Sequence, residues 1–349
     1  MAALAPRTSG EWEDGDGVIH APVPAVTIDP EDADIEIDTD EDEKQAKDIV
    51  PADVCDLSDP KLEVLEYIGT MGKKLTSISG LEAVPQLKSL TFRSNLISTM
   101  DGLAHLTALT YLELYDNQVH RLRDIAGCTA LETLDISYNK MRRIRCLENM
   151  PRLASLYIAG NKLQDLSGLE SCTALVQLDV GMNRIREISG LDTLTALQQL
   201  WLGKNKLTTI TGLASLTALE KLSLQSNRLT SMASGLQACT ALQELYLSHN
   251  AIERLEGLET CTKLRVLDVT HNQLKRLEGL EACKELEDLW ASENQIPDWE
   301  GVNLPMLASL PVLDTVYLEH NPVAGEYEYR MKLKASLPSL TQIDAVPCR

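Results

Sequence analysis

The sequence predicts an α/β solenoid. It would be a horseshoe of 22-residue coils with a parallel sheet on the concave side, short 3₁₀ or irregular segments on the convex side, and a helical cap at the C-terminus. Three observations predict it. Asparagines recur at Asn95, Asn117, Asn139, Asn161, Asn183, Asn205 and Asn227, each 22 residues after the last, and then at Asn250, Asn272, Asn294 and Asn321. Around each of them the apolar residues keep one spacing, L-x-x-L-x-L-x-x-N-x-L, as in Leu109, Leu112, Leu114, Asn117 and Val119. The core is aliphatic: apolar residues make up 44% of the 349, while aromatics reach 4% with a single phenylalanine, Phe92.

Each element follows from this leucine-rich-repeat pattern. Alternation in L-x-L makes a short strand with one face inward. The asparagine then turns the chain, and its amide can satisfy backbone groups that the turn would leave buried and unpaired, so stacked asparagines should form a ladder. A second apolar set, such as Ile188, Leu191 and Leu194, lines the return segment, which in a 22-residue coil is too short for a full α-helix. No coil buries its leucines alone, so stacking closes the core.

The array runs over residues 60–321. It begins with a degenerate coil (60–85) that lacks its asparagine, and it widens at IPDWEGVNLPMLASLP. Residues 322–349 form the cap, where EYEYRMKLKASLP reads as a helix covering the last leucines. Residues 1–59 are an acidic arm: the first 60 residues carry 18 acidic and 3 basic side chains, and stretches such as DPEDADIEIDTDEDE predict disorder by self-repulsion. Within it, the alternating Ile35 and Ile37 could add to a sheet edge.

Charge excludes several classes of function. The counts 32 − 52 give a net charge of −20, without the basic footprint of a nucleic-acid binder or a polybasic membrane patch. The start lacks a secretory signal pattern, no apolar run is long enough to span a bilayer, and no Asn-x-Ser/Thr acceptor occurs. An intracellular protein, nuclear or cytoplasmic, is expected. Cys128, Cys172, Cys239, Cys261 and Cys283 fall at one packing position of the coil and read as free buried thiols. His249 and His271 directly precede ladder asparagines on adjacent coils, but no cysteine or carboxylate completes a ligand set, so no metal and no cofactor is expected. With no phosphate loop or nucleophile motif and no length left for another domain, the chain reads as a non-enzyme.

The informative positions lie between the leucines and point outward from the sheet. Four residues before each asparagine the column reads Thr91, Glu113, Asp135, Tyr157, Asp179, Trp201, Ser223, Tyr246, Asp268, Trp290 and Tyr317. Flanking columns add Tyr111, Tyr115, Glu244, Asp288 and Glu319. Strand propensity explains a tyrosine or two. It does not explain two tryptophans among a run of carboxylates, which suit a face with hot-spot anchors for a basic and apolar protein partner.

The 22-residue period, the coil LELYDNQV, the stretches LGKNKL, LQSNRL and LYLSHN, and the ending NPVAGEYEYRMKLKASLPSLTQIDA resemble the leucine-rich-repeat regulatory subunit family of protein phosphatase 1, over about residues 75–345. The resemblance implies that the concave face binds the phosphatase catalytic subunit through Asp135, Tyr157, Asp179, Trp201, Asp268, Asp288, Trp290 and Tyr317. Tyr246 joins them on spacing alone. Phe92 is preceded by Leu-Thr, so the basic-Val-x-Phe docking motif of other phosphatase regulators is missing. The expected protein is a non-catalytic subunit, monomeric when free, that controls the maturation, location or substrate choice of a type-1 phosphatase and leaves room for a further regulatory subunit. The alternative is a generic intracellular repeat scaffold for a ciliary, centrosomal or splicing partner.

Overall fold

The computed structural model of the chain describes residues 12–13, 19–20, 49–122 and 125–348, in two compact units, Met1–Ala46 and Lys47–Arg349. In the first unit Trp12–Glu13 pairs antiparallel with Ile19–His20. The expected disorder of the arm, together with Ile35 and Ile37, lies outside the described residues.

The second unit is a parallel-strand solenoid. Its strands are β1 (Val64–Ile68), β2 (Ser89–Arg93), β3 (Tyr111–Glu113), β4 (Thr133–Asp135), β5 (Ser155–Tyr157), β6 (Gln177–Asp179) and β7 (Gln199–Trp201). They continue with β8 (Lys221–Ser223), β9 (Glu244–Tyr246), β10 (Val266–Asp268), β11 (Asp288–Trp290), β12 (Thr315–Tyr317), β13 (Gln342–Ile343) and β14 (Val346–Pro347). They lie in one sheet in unbroken chain order. Register is fixed by the repeat: Leu156 pairs with Leu178, and Leu178 with Leu200. From Leu90 to Leu289 every such leucine is fully buried, so a one-residue slip would turn a leucine column to solvent. The return segments are mostly turns, with a 3₁₀ turn at Leu81–Ala83; the widened coil carries two one-turn helices, α1 (Trp299–Val302) and α2 (Leu304–Leu307). Cys128, Cys172, Cys239, Cys261 and Cys283 are free and buried in the core. Burial pushes the thiols of Cys128, Cys172 and Cys261 up to about 11 and those of Cys239 and Cys283 to about 12.

The asparagine ladder is complete. The Leu163 N–H donates to Asn183 Oδ1 at 2.9 Å, and Asn183 Nδ2 donates to the carbonyls of Ile158, Val180 and Gly181 at 3.0 Å each. One carbonyl belongs to the preceding coil and two to its own, so a single side chain ties two turns together. The same pattern runs from Asn95 to Asn321. The residue before each ladder asparagine is left-handed, from Ser94 (φ 55°) to His320 (φ 60°), and among these positions only Gly160 is glycine. There a Cβ would stand 2.9 Å from the Tyr138 ring, which lies over that spot.

Both ends differ from the sequence expectation. Residues 49–59, assigned to the disordered arm, instead pack on the first coil. Pro51 is buried, Ile49, Val54, Cys55 and Leu57 are half-buried against the core, and Ile49 exchanges hydrogen bonds with Thr76. The acidic spacing hid this short apolar set. The degenerate coil carries Thr70 where register would put an asparagine, since Glu66 pairs with Thr91. At the C-terminus the helix α3 (Tyr329–Ser336) buries Tyr329 and Leu333, as a cap should. The cap also adds β13 to the sheet. Asp344 takes over the turn there, accepting from the Leu318 and Glu319 N–H groups at 2.8 and 3.0 Å.

Replacing Asn183 by alanine is expected to lower unfolding free energy by about 1–3 kcal/mol, because it strands one N–H and three carbonyls near the core. Chemical denaturation measures it, and an unchanged midpoint would show that the rung is dispensable.

Candidate protein-docking face

The strands present x-L-x triplets, with leucine inward and both flanking residues outward. Asp135, Tyr157, Asp179 and Trp201 therefore stand side by side on β4, β5, β6 and β7, each half-buried. They wall a depression of about 400 Å³. Its floor is the next outward column, where four successive coils carry the small residues Ser137, Ala159, Gly181 and Gly203; Tyr138, Met182 and Lys204 form the far rim. A Cβ on Gly181 would meet the Asp179 carboxylate at 3.1 Å, so glycine keeps this floor open. The sequence reading missed both the floor and the rim. The run Ser137, Ala159, Gly181, Gly203 is the signal in the sequence, a faint one because small side chains leave space and carry no chemistry.

The two carboxylates in this depression are electrostatically dissatisfied. Asp135 accepts from the Ser137 N–H at 2.8 Å and Asp179 from the Gly181 N–H at 2.9 Å. Burial nevertheless dominates and raises both pKa values; the Glu113 charge adds to the shift of Asp135, and the Asp135 charge to that of Asp179. Desolvated anions beside aromatic rings favour a cationic or hydrogen-bond-donating visitor. The Tyr157 hydroxyl lies 2.6 Å from Gln177 Oε1, to which it donates, and this fixes the ring.

A second patch occupies β9 to β12. The Tyr246 and Trp290 rings are 6.3 Å apart, as are those of Trp290 and Tyr317. Tyr246 donates to Glu244 at 2.7 Å, and Gln342 donates to the Tyr317 hydroxyl. Burial opposes the charge of Glu244, but Lys221 at 2.6 Å and the Tyr246 hydroxyl outweigh it and hold the carboxyl below its usual value. Asp288 is half-buried beside them. Asp268 departs from expectation. The Tyr246 and Trp290 rings, on the strands either side, close over it, it is 9% exposed, and it accepts from the Thr270 N–H at 3.0 Å. It supports the patch more than it faces solvent. Between the two patches, Ser223 on β8 is buried and offers no anchor.

His249 and His271 do approach each other, with ring centroids 4.6 Å apart, and His271 Nδ1 lies 2.8 Å from Glu293. They are solvent-exposed at the loop edge. Among the described residues, no three histidine, cysteine or acidic side chains are grouped to hold a metal ion. No helix there is long and apolar enough to cross a membrane.

With the solenoid and its two-patch face in view, the comparisons with known proteins agree on class. The family described as "Leucine Rich repeats (2 copies)" matches residues 151–193, 195–238 and 240–282. A crystal structure of an internalin from Listeria monocytogenes is similar at 25% identity and TM-score 0.66, covering 82% of this chain and 88% of that one. A leucine-rich-repeat protein of Leptospira interrogans is similar at 23% identity and TM-score 0.68, covering 78% of this chain and 76% of that one. The fold is a leucine-rich-repeat solenoid, a scaffold for protein–protein interaction. Among curated proteins, protein phosphatase 1 regulatory subunit 7 of Xenopus tropicalis is 49% identical over 43 residues; that stretch spans 12% of this chain and 12% of that protein.

The raised pKa values give a signed prediction. A carboxyl whose folded pKa lies above its unfolded one makes the native state bind more protons, so stability falls as pH rises from about the unfolded value upward. Asp135→Asn/Asp179→Asn removes that penalty while keeping the side-chain oxygen that accepts from Ser137 and Gly181. The double variant should melt at or above the parent temperature at pH 7, with the difference shrinking below the unreacted carboxyl value of 3.8. Thermal melts across that range check it, and a variant that melts lower at pH 7 would contradict it.

Proposed function

We propose that this protein is a non-catalytic regulatory subunit that binds the catalytic subunit of a type-1 serine/threonine phosphatase through the sheet face, acting in the nucleus or cytoplasm. The observation that carries the reading is the pairing of desolvated, acid-flanked aromatic anchors on β4–β7 with a second aromatic patch on β9–β12. The short stretch shared with the Xenopus phosphatase subunit and the resemblance of the terminal NPVAGEYEYRMKLKASLPSLTQIDA support the choice of partner. A rigid face with two anchor clusters suits a folded partner whose surface is basic and apolar. Such binding would govern the phosphatase's maturation, location or substrate choice without any chemistry on this chain. The broader alternative is the same face used for another intracellular protein partner.

Trp201→Ala and Trp290→Ala are each expected to weaken capture of the phosphatase catalytic subunit by about 2 kcal/mol or more, as aromatic hot spots do. Calorimetric titration reads it. Wild-type affinity in the double variant would refute the reading, and so would failure of the parent protein to bind the phosphatase at all.

A further inference from the structure

The loop edge at the C-terminal ends of the strands carries a charge opposite to that of the sheet face. One position after each ladder asparagine, five successive coils place Lys140, Lys162, Arg184, Lys206 and Arg228. Their backbone N–H groups make one repeated bond, each to the preceding coil: Lys140 to Val119, Lys162 to Met141, Arg184 to Leu163, Lys206 to Ile185 and Arg228 to Leu207, at 2.8–2.9 Å. The five side chains therefore start from equivalent points about 4.8 Å apart. Lys140, Lys162 and Arg228 are exposed, Arg184 is half-buried, and the Lys206 ammonium is buried, so on its coil the exposed Lys204 presents the charge. Lys204, one position before Asn205, and Arg142 and Arg186, three after their asparagines, join them. Across these coils the positions one before, one after and three after the asparagine total fifteen, with eight lysines or arginines and no acid. The segregation is local: one position after their asparagines the coils of Asn250 and Asn294 carry Ala251 and Gln295.

In a chain of net charge −20, a cation on the loop edge of each of five successive coils is not explained by solubility. Neighbouring charges at this spacing lie well within a Debye length of about 8–10 Å, so they attract an anion jointly. A nucleic-acid duplex broad enough to span the edge would also meet the carboxylates of Asp135 and Asp179 around the corner, which repel phosphate. A single extended polypeptide is thin enough to avoid them. We propose that this edge is a second docking surface, and that it binds an extended, Asp/Glu-rich segment of a protein partner lying across five coils. At about 3.3 Å per residue the row of about 19 Å matches roughly six extended residues. The proposal is independent of the phosphatase reading and uses none of its anchors, sharing with that face only Lys204 on the rim of the depression.

The test is fluorescence anisotropy of a labelled octaglutamate peptide with the full chain at low ionic strength. Lys140→Glu/Lys162→Glu/Arg228→Glu should weaken binding at least about tenfold. A control of equal charge change off the edge, Lys61→Glu/Lys73→Glu/Lys263→Glu, should shift it by no more than about threefold, which is the size of a purely long-range field effect. Circular dichroism melts establish that both variants fold, and Trp201→Ala should leave the peptide's affinity unchanged. No binding to the parent protein, or equal losses in the two triple variants, would overturn the proposal. Tighter binding of a ribo-oligonucleotide or a phosphoserine peptide of the same charge would overturn the assignment to a carboxylate-rich segment.

Discussion

The side-chain amide of the ladder asparagine is the interaction on which the rest of the solenoid depends. Each coil must reverse direction within a few residues, and the structure does so through a left-handed residue that is almost always not glycine. Such a conformation costs of order 1–3 kcal/mol and persists only where its surroundings over-determine it. The following asparagine supplies that constraint, taking one N–H from the preceding coil and giving hydrogen bonds to carbonyls of both coils. Substitution there would release the turn and also uncouple two strands, which is how a local motif sets the register of the whole sheet.

Function follows from this constraint because the ladder leaves the outward positions free. The leucines and asparagines are committed to the core and the turns, so the x positions of x-L-x can vary without disturbing the fold. The chain uses them for Trp201 beside Asp179 and for Trp290 beside Asp288, and it uses the loop position after the asparagine for a cationic row. A rigid sheet presents these groups with little conformational entropy to lose on binding. The same rigidity holds Asp135 and Asp179 in a partly desolvated setting that is unfavourable for the free protein.

Much of this was legible in the sequence. A strict period fixes register, and register fixes which columns share a face, so the ladder, the inward leucines and the outward aromatics all follow from counting. The cap helix around Leu333 was legible separately, through the helical character of EYEYRMKLKASLP. What escaped was whatever broke the period or depended on neighbours. Ile49 and Val54 pack on the first coil from within an acidic region whose composition suggested disorder. Gln342 and Ile343 form a strand without a repeat to announce them. Asp268 is covered because the rings on adjacent coils lean across it, and a column read one coil at a time contains no such information. The depression exists because residues such as Gly181 and Gly203 are absent in bulk, and a search for chemistry passes over glycine.

The most direct test of the docking face is hydroxyl-radical footprinting of the tryptophans with and without the phosphatase catalytic subunit. Trp201 and Trp290 lie on the sheet face, whereas Trp299 begins a helix of the return segment and stacks on Tyr329 of the cap; all three are half-buried in the free chain. Oxidation of Trp201 and Trp290 is expected to fall sharply on complex formation while that of Trp299 is unchanged. Protection of Trp299 with Trp201 and Trp290 left reactive would place the partner on the opposite side and contradict that expectation.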